Sequence, residues 1–429
     1  MRTISTWGSI AIVVLMCACT AGTIAQPDTG DLPVAPDSAR VDLAMPAFSN
    51  PTEITNPLFP VSDQASVLLV GEVDGEPFRT EVTLLPETRI IDWEGLRVEV
   101  LISQYVAYLG GRLHEVAYDF YAQADDGSVW YFGEDVFNFA DGAITNTHGT
   151  WLAGRDGPAA MIMPADLQVG QVYRPENIPG FVFEEVTVQT VDQTLDGPFG
   201  PISGGIEVHE LHMDGATEDK QFAPDYGEFY TSDGVDTEAL AMAVPTDAAS
   251  GPVPEGPATI AAAAASIFDA ALTGDLGASA ERVQEILLAW THTDAADVPI
   301  LVLPIMTDAL DRLAVAVDAG NAEAAAQAAI DVGQSAADLQ LRHRPVTEVD
   351  RARFDLWLAQ LQLDAAAEDS DAVNGDALAL DYTRERFVHA LDANAAADLN
   401  LAMEDLHVAV ADGDLAAVAA IAQRMMNAP

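Results

Sequence analysis

The residues best suited to chemistry are carboxylates on segments that alternate between polar and apolar side chains. Glu115 and Asp119 are four residues apart in such a segment, and a β-strand would place both on one face. Paired carboxylates can perform acid–base catalysis, so a hydrolase using this pair is one hypothesis. Carboxylates in an acidic chain are more commonly solvated or ion-paired, and we predict no catalytic residue. Lys220, the only lysine, follows Glu218 and Asp219 and could pair with them.

The histidines and short motifs favour neither a metal site nor a cofactor site. His209 and His212 are three residues apart, which on a strand places them on opposite faces and argues against a shared metal ion. The chain contains no nucleophile elbow, zinc-protease motif, phosphate-binding loop or dinucleotide fingerprint. The segment 369–375 only half resembles a calcium loop, because Val373 stands where a ligand is required. We predict no metal ligands and no cofactor.

A strong hairpin signal spans residues 118–135, where two runs rich in Tyr, Phe, Val and Trp flank the turn sequence at 125–128. Alternation divides this region into an aromatic side and a carboxylate side. Such an aromatic cluster is usually core, but the alternative is a concave pocket for an apolar or acyl ligand. The predicted ligand-binding residues are Glu115, Asp119, Tyr121, Trp130, Phe132 and Lys220.

The charge of the chain limits the partners that it can have. Its 68 acidic residues and 18 Lys+Arg residues give a formal net charge of −50, which excludes nucleic acid as a partner because phosphate binding needs clustered cations. One interpretation of this acidity is a hydrated, soluble surface, as in proteins from high-salt habitats. The other is a divalent-cation (calcium) binding protein, and the sequence leaves both open.

The N-terminus is typical of an export signal. Arg2 precedes an apolar run over residues 10–16 and then small residues, and this run is too short to span a bilayer. The segment Leu-Met-Cys-Ala-Cys, which ends at Cys19, resembles a bacterial lipobox, and this resemblance implies that Cys19 is lipidated. The alternative is cleavage after Ala25 and plain secretion.

Composition divides the chain into five segments. We predict a lipoprotein signal peptide at 1–19, a flexible tether at 20–48, an antiparallel β domain at 49–237, a Pro/Gly-rich linker at 238–258 and a helical domain at 259–429. The β domain shows short alternating runs separated by turn signals, without crossover helices, which predicts a sandwich or half-barrel. The expected turns are at residues 74–75, 110–111, 126–127, 141–142, 196–197 and 204–205.

The helical domain is rich in alanine and contains an internal repeat. Breaks at Gly274, Gly320, near Asp371 and at Gly413 recur along it, which predicts about four helical hairpins, arranged as paired four-helix bundles rather than a solenoid. The predicted fold class is therefore α+β with two segregated domains. Six arginines in this domain lie near carboxylates and are expected to form buried or interface ion pairs: Arg342, Arg344, Arg351, Arg353, Arg384 and Arg386.

Three segments of the β domain resemble an uncharacterised family of exported bacterial lipoproteins. They are SNPTEITNPLFPV, YAQADDGSVWYFGED and EDKQFAPDYGEFY, within residues 49–231. The family pattern has a YAQD-x-x-G-N-V-W-Y-F-G-E hairpin before a closing K-Y-Y-A-P-G-V-G strand, and the closing segment is also similar to curved-sheet lipoproteins of the outer-membrane lipoprotein carrier type. The chain departs from the pattern at Gln221 and at Asp225–Tyr226, and the resemblance implies no known activity.

These observations together predict a non-enzymatic, extracytoplasmic lipoprotein of binding or scaffold type. Its β domain would hold an apolar small molecule or lipid, and its helical domain would mediate contacts with a protein partner that the sequence does not identify. A lipid anchor would be its only link to the cell membrane. Calcium binding and hydrolysis by the carboxylate pair stay alternatives.

Overall fold

A computed structural model describes residues 32–427 of the chain. Within this range an antiparallel sheet of fourteen strands is followed by eight α-helices, which confirms the predicted α+β class with segregated domains. The signal peptide and Cys19 lie outside the described residues. No helix in the described range is long and apolar enough to cross a membrane.

The strands are β1 (Ser66–Val73), β2 (Glu76–Trp93), β3 (Leu96–Leu109), β4 (Arg112–Gln123), β5 (Val129–Ala140), β6 (Ala143–Asn146), β7 (Trp151–Leu152), β8 (Ala160–Met163), β9 (Val172–Ile178), β10 (Val182–Gly197), β11 (Gly200–His212), β12 (Thr217–Ala223), β13 (Gly227–Ser232) and β14 (Thr237–Val244).

The sheet is curled but not closed. Its order is β6-β5-β4-β3-β2-β1-β14-β13-β12-β11-β10-β9, and β7 and β8 also pair with β5. Its two ends meet through side chains, because the indole of Trp151 on β7 donates a hydrogen bond of 3.0 Å to Glu176 on β9. Every second side chain of the central strands therefore points into the interior of the curled sheet.

Turn chemistry explains most of the strand boundaries. Asp74 and Gly75, and likewise Asp141 and Gly142, adopt positive φ between paired strands, as predicted from their Asp-Gly sequences. The turn predicted at 196–197 forms slightly later, at residues 198–199, because β10 ends at Gly197, which pairs with Gly200 of β11. The turn predicted at 204–205 is wrong, since these residues lie inside β11. Gly204, with a φ of +87°, falls where the register between the two strands shifts, so this glycine marks a bulge rather than a turn.

The predicted start of the linker at residue 238 is also wrong, because β14 continues to Val244. Its alternation was obscured by alanines, which have low strand propensity. Pairing with β1 and β13 on its two sides forms the strand despite this composition. The alternating runs in the sequence predict strands over residues 65–71, 77–84, 97–108, 112–123, 128–133, 182–191, 206–213 and 218–223, so β9 and β13 were likewise absent from the predicted strands. The turn at Asp225, where the chain departs from the family pattern, forms with a φ of +69° at that residue.

The helices form two four-helix bundles, as predicted. The first contains α1 (Glu255–Leu272), α2 (Ser279–His292), α3 (Val302–Ala319) and α4 (Ala322–Leu341), and the second contains α5 (Val346–Ala366), α6 (Ser370–Glu385), α7 (Ala393–Ala411) and α8 (Leu415–Met426). α1 packs on α2 and α4, α5 packs on α6 and α8, and α4 contacts α5. The breaks at Gly274, Gly320 and Gly413 have positive φ, which ends each preceding helix.

A buried ion network joins the second bundle to the outer face of the sheet. Arg386 pairs with Glu81 of β2 at 2.5 Å, and Arg353 pairs with Asp338 at 3.0 Å and with Asp350 at 3.2 Å. The prediction of buried ion pairs is confirmed for these two arginines. Because arginine forms several fixed hydrogen bonds at once, the network sets the position of α5 against the sheet.

Replacing Arg353 with methionine should destabilise the protein strongly. The arginine side chain is 1% exposed, and its loss would leave buried carboxylates without a counter-ion, which costs about 3–5 kcal/mol. Urea unfolding followed by circular dichroism measures this free energy. Arg424→Met is the matched control, since Arg424 is 60% exposed in its pair with Asp405 and should lose less than about 1 kcal/mol. Equal losses for the two variants would contradict the interpretation.

Candidate functional site

The interior of the curled sheet contains a cavity of about 130 Å³. This volume is close to that of a protein cavity of about 150 Å³ that binds benzene. One part of its wall is apolar and includes Val67, Leu69, Val82, Val208 and Phe222. The polar part consists of Asp119, Ser103, Tyr105, Glu184, Glu210, Lys220, Glu228 and Glu238. A small molecule with an apolar body and a polar end fits this lining.

Strand alternation explains how these polar groups reach the interior. Glu210 and His212 of β11 lie on one face, and Glu210 stands directly opposite Glu218 of β12. Lys220 follows two residues after Glu218 and therefore shares that face. His209 lies on the opposite face, where it contacts Asp219 at 2.8 Å, as the three-residue spacing predicted.

Lys220 is a charged, paired ammonium group. Its Nζ lies 2.8 Å from Glu210 Oε2 and 3.1 Å from Glu218 Oε1. Burial lowers the pKa of Lys220, but the neighbouring carboxylates outweigh burial and hold this pKa well above its usual value. A permanently protonated amine is not a nucleophile, so the structure gives Lys220 an electrostatic role.

His212 lies between two carboxylates. Its Nδ1 is 3.4 Å from Glu184 and its Nε2 is 3.5 Å from Glu218. Burial lowers the pKa of His212, yet Glu184 and Glu218 raise it to about 11. The imidazole is therefore positively charged at neutral pH, and with Lys220 it balances part of the acidic cluster.

On the other side of the interior, burial raises the pKa of several carboxyl groups and favours their protonated form. Asp119 accepts a hydrogen bond of 2.8 Å from the Tyr131 hydroxyl, and burial raises the pKa of Asp119 to about 7. Burial likewise raises the pKa of Glu176 to about 7. Glu115 is buried on the same face, and its pKa is well above the usual range for the same reason. On this side of the interior, bound protons rather than counter-ions reduce the negative charge of the carboxyl groups.

Glu238 differs from the other carboxylates of the cavity. It projects from β14 and is 2% exposed, but neither of its oxygens has a hydrogen-bond partner among the described residues. Burial raises the pKa of Glu238 to about 8. A buried acceptor without a partner costs free energy, which makes this group the best candidate to receive a ligand.

The structure divides the predicted ligand-binding residues into two groups. Asp119, Tyr121 and Lys220 line the cavity, and Glu115 shares their face without lining it. Trp130 and Phe132 lie on the opposite face of β5 and pack against Trp93, with ring centroids 6.2 and 5.6 Å from it. Trp130 and Phe132 therefore lie away from the cavity.

Sequence reasoning missed the contribution of Glu228 and Glu238 to the cavity. The stretch that contains Glu238 was interpreted as linker, and Glu228 belongs to β13, which was absent from the predicted strands. The signal that could have found Glu238 is the alternation of residues 238–244, in which Glu238 and Leu240 share one side. No protein-family model and no curated protein matches the chain.

Replacing Glu238 with glutamine should reduce the loss of stability at high pH. Folding raises the pKa of Glu238 from 4.5 to about 8, so the stability that its proton provides is fully present below pH 4.5 and is lost as pH rises through 8. The loss is on the order of 3–5 kcal/mol. Urea unfolding at pH 5 and pH 9 should therefore differ less in the variant than in the wild type.

The exposed residue Glu72 on the neighbouring strand β1 provides the control, because Glu72→Gln should keep the wild-type pH dependence. An unchanged difference between pH 5 and pH 9 in Glu238→Gln would show that Glu238 is not held protonated by burial.

Proposed function

We propose that this protein is an extracytoplasmic binding protein that holds a small amphipathic molecule inside its curled sheet. The observation that carries this proposal is the cavity inside the curled sheet, in which one part of the wall is apolar and another carries buried ionisable groups. Ligand sites commonly combine apolar walls with a few convergent polar groups. The lipobox-like sequence ending at Cys19 supports attachment to the membrane by a lipid anchor, and the resemblance to exported lipoproteins supports the same location.

The two halves of the chain have separate roles in this proposal. The β domain binds the ligand, and the helical domain covers the outer face of the sheet and mediates contacts. The helical domain is joined to the sheet by Glu81 and by the pair between Arg112 and Asp364 at 2.5 Å. Binding, rather than hydrolysis by Glu115 and Asp119, agrees better with the lining, because Asp119 lines the cavity and Glu115 does not.

Filling the cavity should abolish ligand binding while the fold is retained. Val82 lines the cavity, and Val82→Phe would place an aromatic ring in it. We expect native mass spectrometry of protein purified from its own membrane to show a small molecule bound to the wild type and none bound to this variant. Val235→Phe is the control, because Val235 is 86% exposed. Absence of any bound molecule from the wild type would contradict the proposal.

A divalent cation is a second candidate ligand, favoured by one cluster. Glu210, His212 and Glu218 each offer a ligand atom, and these atoms lie within 4.8 Å of one another. Glu184 beside Nδ1 of His212 would orient the ring, as carboxylates do behind metal-bound histidines. The imidazole favours zinc over calcium, which prefers oxygen ligands. Zinc would have to displace a proton from His212, whose imidazole is charged at neutral pH. Lys220 contacts two of these carboxylates and would also compete with the metal ion.

Calorimetric titration with zinc chloride tests this second candidate. If zinc binds at the cluster, His212→Ala should abolish binding, and Lys220→Met should strengthen it because a competing cation is removed. His209→Ala is the matched control, since His209 lies on the outer face of the same strand. Absence of zinc binding by the wild type, or equal losses in the two histidine variants, would exclude this candidate.

A further inference from the structure

The polar groups that line the cavity are almost all paired within the protein. Glu210 pairs with Lys220 at 2.8 Å, and Glu184 pairs with His212 at 3.4 Å. Glu228 accepts a hydrogen bond of 2.6 Å from the Thr231 hydroxyl. Asp119 accepts one from Tyr131. Among the carboxyl groups of the lining, both oxygens of Glu238 stay without a hydrogen bond within the described part of the chain.

A second buried polar group without a hydrogen-bond partner also lines the cavity. The Tyr105 hydroxyl lines the cavity, is buried, and has no hydrogen-bond partner among residues 32–427. Burial raises the pKa of Tyr105 and of Glu238. Both groups lie beside the buried hydroxyl of Thr80, which lowers the pKa of each group and has no partner at hydrogen-bond distance among the described residues. An unsatisfied acceptor and an unsatisfied hydroxyl therefore face one small space.

The polar groups of the lining suit a cation better than an anion. Five carboxyl groups and one ammonium group line the cavity, and the ammonium of Lys220 is already held by Glu210 and Glu218. An anionic ligand would therefore find no free cation in the lining, and it could accept a hydrogen bond from Glu238 only while that carboxyl group stays protonated. A cationic ligand would find Glu238 free, and a hydrogen bond between two charged groups is stronger than one between neutral groups.

We infer that the ligand is a small organic amine, whose ammonium group binds Glu238 and the Tyr105 hydroxyl while its apolar body lies along the wall formed by Val67, Leu69 and Val82. This inference rests on the proposed binding function and names the chemical class of the ligand. Because burial keeps Glu238 largely protonated when the cavity is empty, binding of an ammonium ion releases that proton to solvent.

Benzylamine and benzyl alcohol form a matched pair of probes. They share an aromatic ring of the size that a cavity of about 130 Å³ accepts, and they differ in charge. Calorimetric titration of the wild type should give a Kd for benzylamine about tenfold lower than that for benzyl alcohol. Repeating the benzylamine titration in two buffers of different ionisation enthalpy should reveal release of a proton.

Glu238→Gln keeps the shape of the side chain and removes its charge. It should weaken benzylamine binding about tenfold, abolish proton release and leave benzyl alcohol binding nearly unchanged. Glu72→Gln, on the exposed side of the adjacent strand, should behave like the wild type.

The outcomes separate the two proposals. If benzyl alcohol binds as tightly as benzylamine, or if Glu238→Gln keeps the preference for the amine, the inference about the amine is overturned and the binding function stands. If neither probe binds the folded wild type, the amine inference fails. The proposed function then depends on the native mass spectrometry of the wild type and Val82→Phe, which is independent of the chemical class of the ligand.

Discussion

The scarcity of positive charge constrains the whole structure. The chain has 68 acidic residues and 18 Lys+Arg residues, and several of its carboxylates are buried on the two faces of one sheet. A buried carboxylate requires a counter-ion, hydrogen-bond donors or a proton. The outer face uses arginines from the helical domain, and the inner face uses Lys220, His212 and protons. The two faces of the sheet therefore stabilise their buried carboxylates in different ways, and the packing of the domains depends on this difference.

The outer face shows how this constraint positions the domains. Glu81 contacts Arg79, Arg353 and Arg386, and although burial raises the pKa of Glu81, these arginines hold that pKa well below its usual value. Two of the three arginines come from the second helical bundle, so the carboxylate stays charged only when α5 and α6 lie against β2. The first bundle is joined to the same network through Asp338 of α4, which pairs with Arg79 of β2 at 2.7 Å, and also through an apolar core to which Leu68 and Met242 of the sheet contribute.

The features that could be predicted from the sequence are those determined by residues close together in the chain. Glycines such as Gly320 adopt a left-handed conformation that ends a helix. The eight helices and their pairing could therefore be predicted from the positions of these glycines and from the alanine-rich repeats. The face shared by Glu115, Asp119 and Tyr121 followed from alternation alone. A pocket in the β domain was one alternative from the sequence, but its complete lining could not be predicted, because it comes from strands distant in sequence, whose order depends on how far the sheet curls. β14 was missed for the same reason, since its partners β1 and β13, rather than its own composition, form it.

The protonation of the carboxyl groups around the cavity differs from one part of its wall to another. Lys220 and His212 balance the carboxylates of β11 and β12, whereas burial raises the pKa of Asp119, Glu134 and Glu176 and favours their protonated form. Glu238 lies between these regions on β14, with neither a counter-ion nor a hydrogen bond within the described residues. A side chain in that position is destabilising in the empty protein unless it keeps a proton. Strand order fixes its place, so Glu238 is the buried acceptor at which the proposed amine would supply a positive charge from outside the chain.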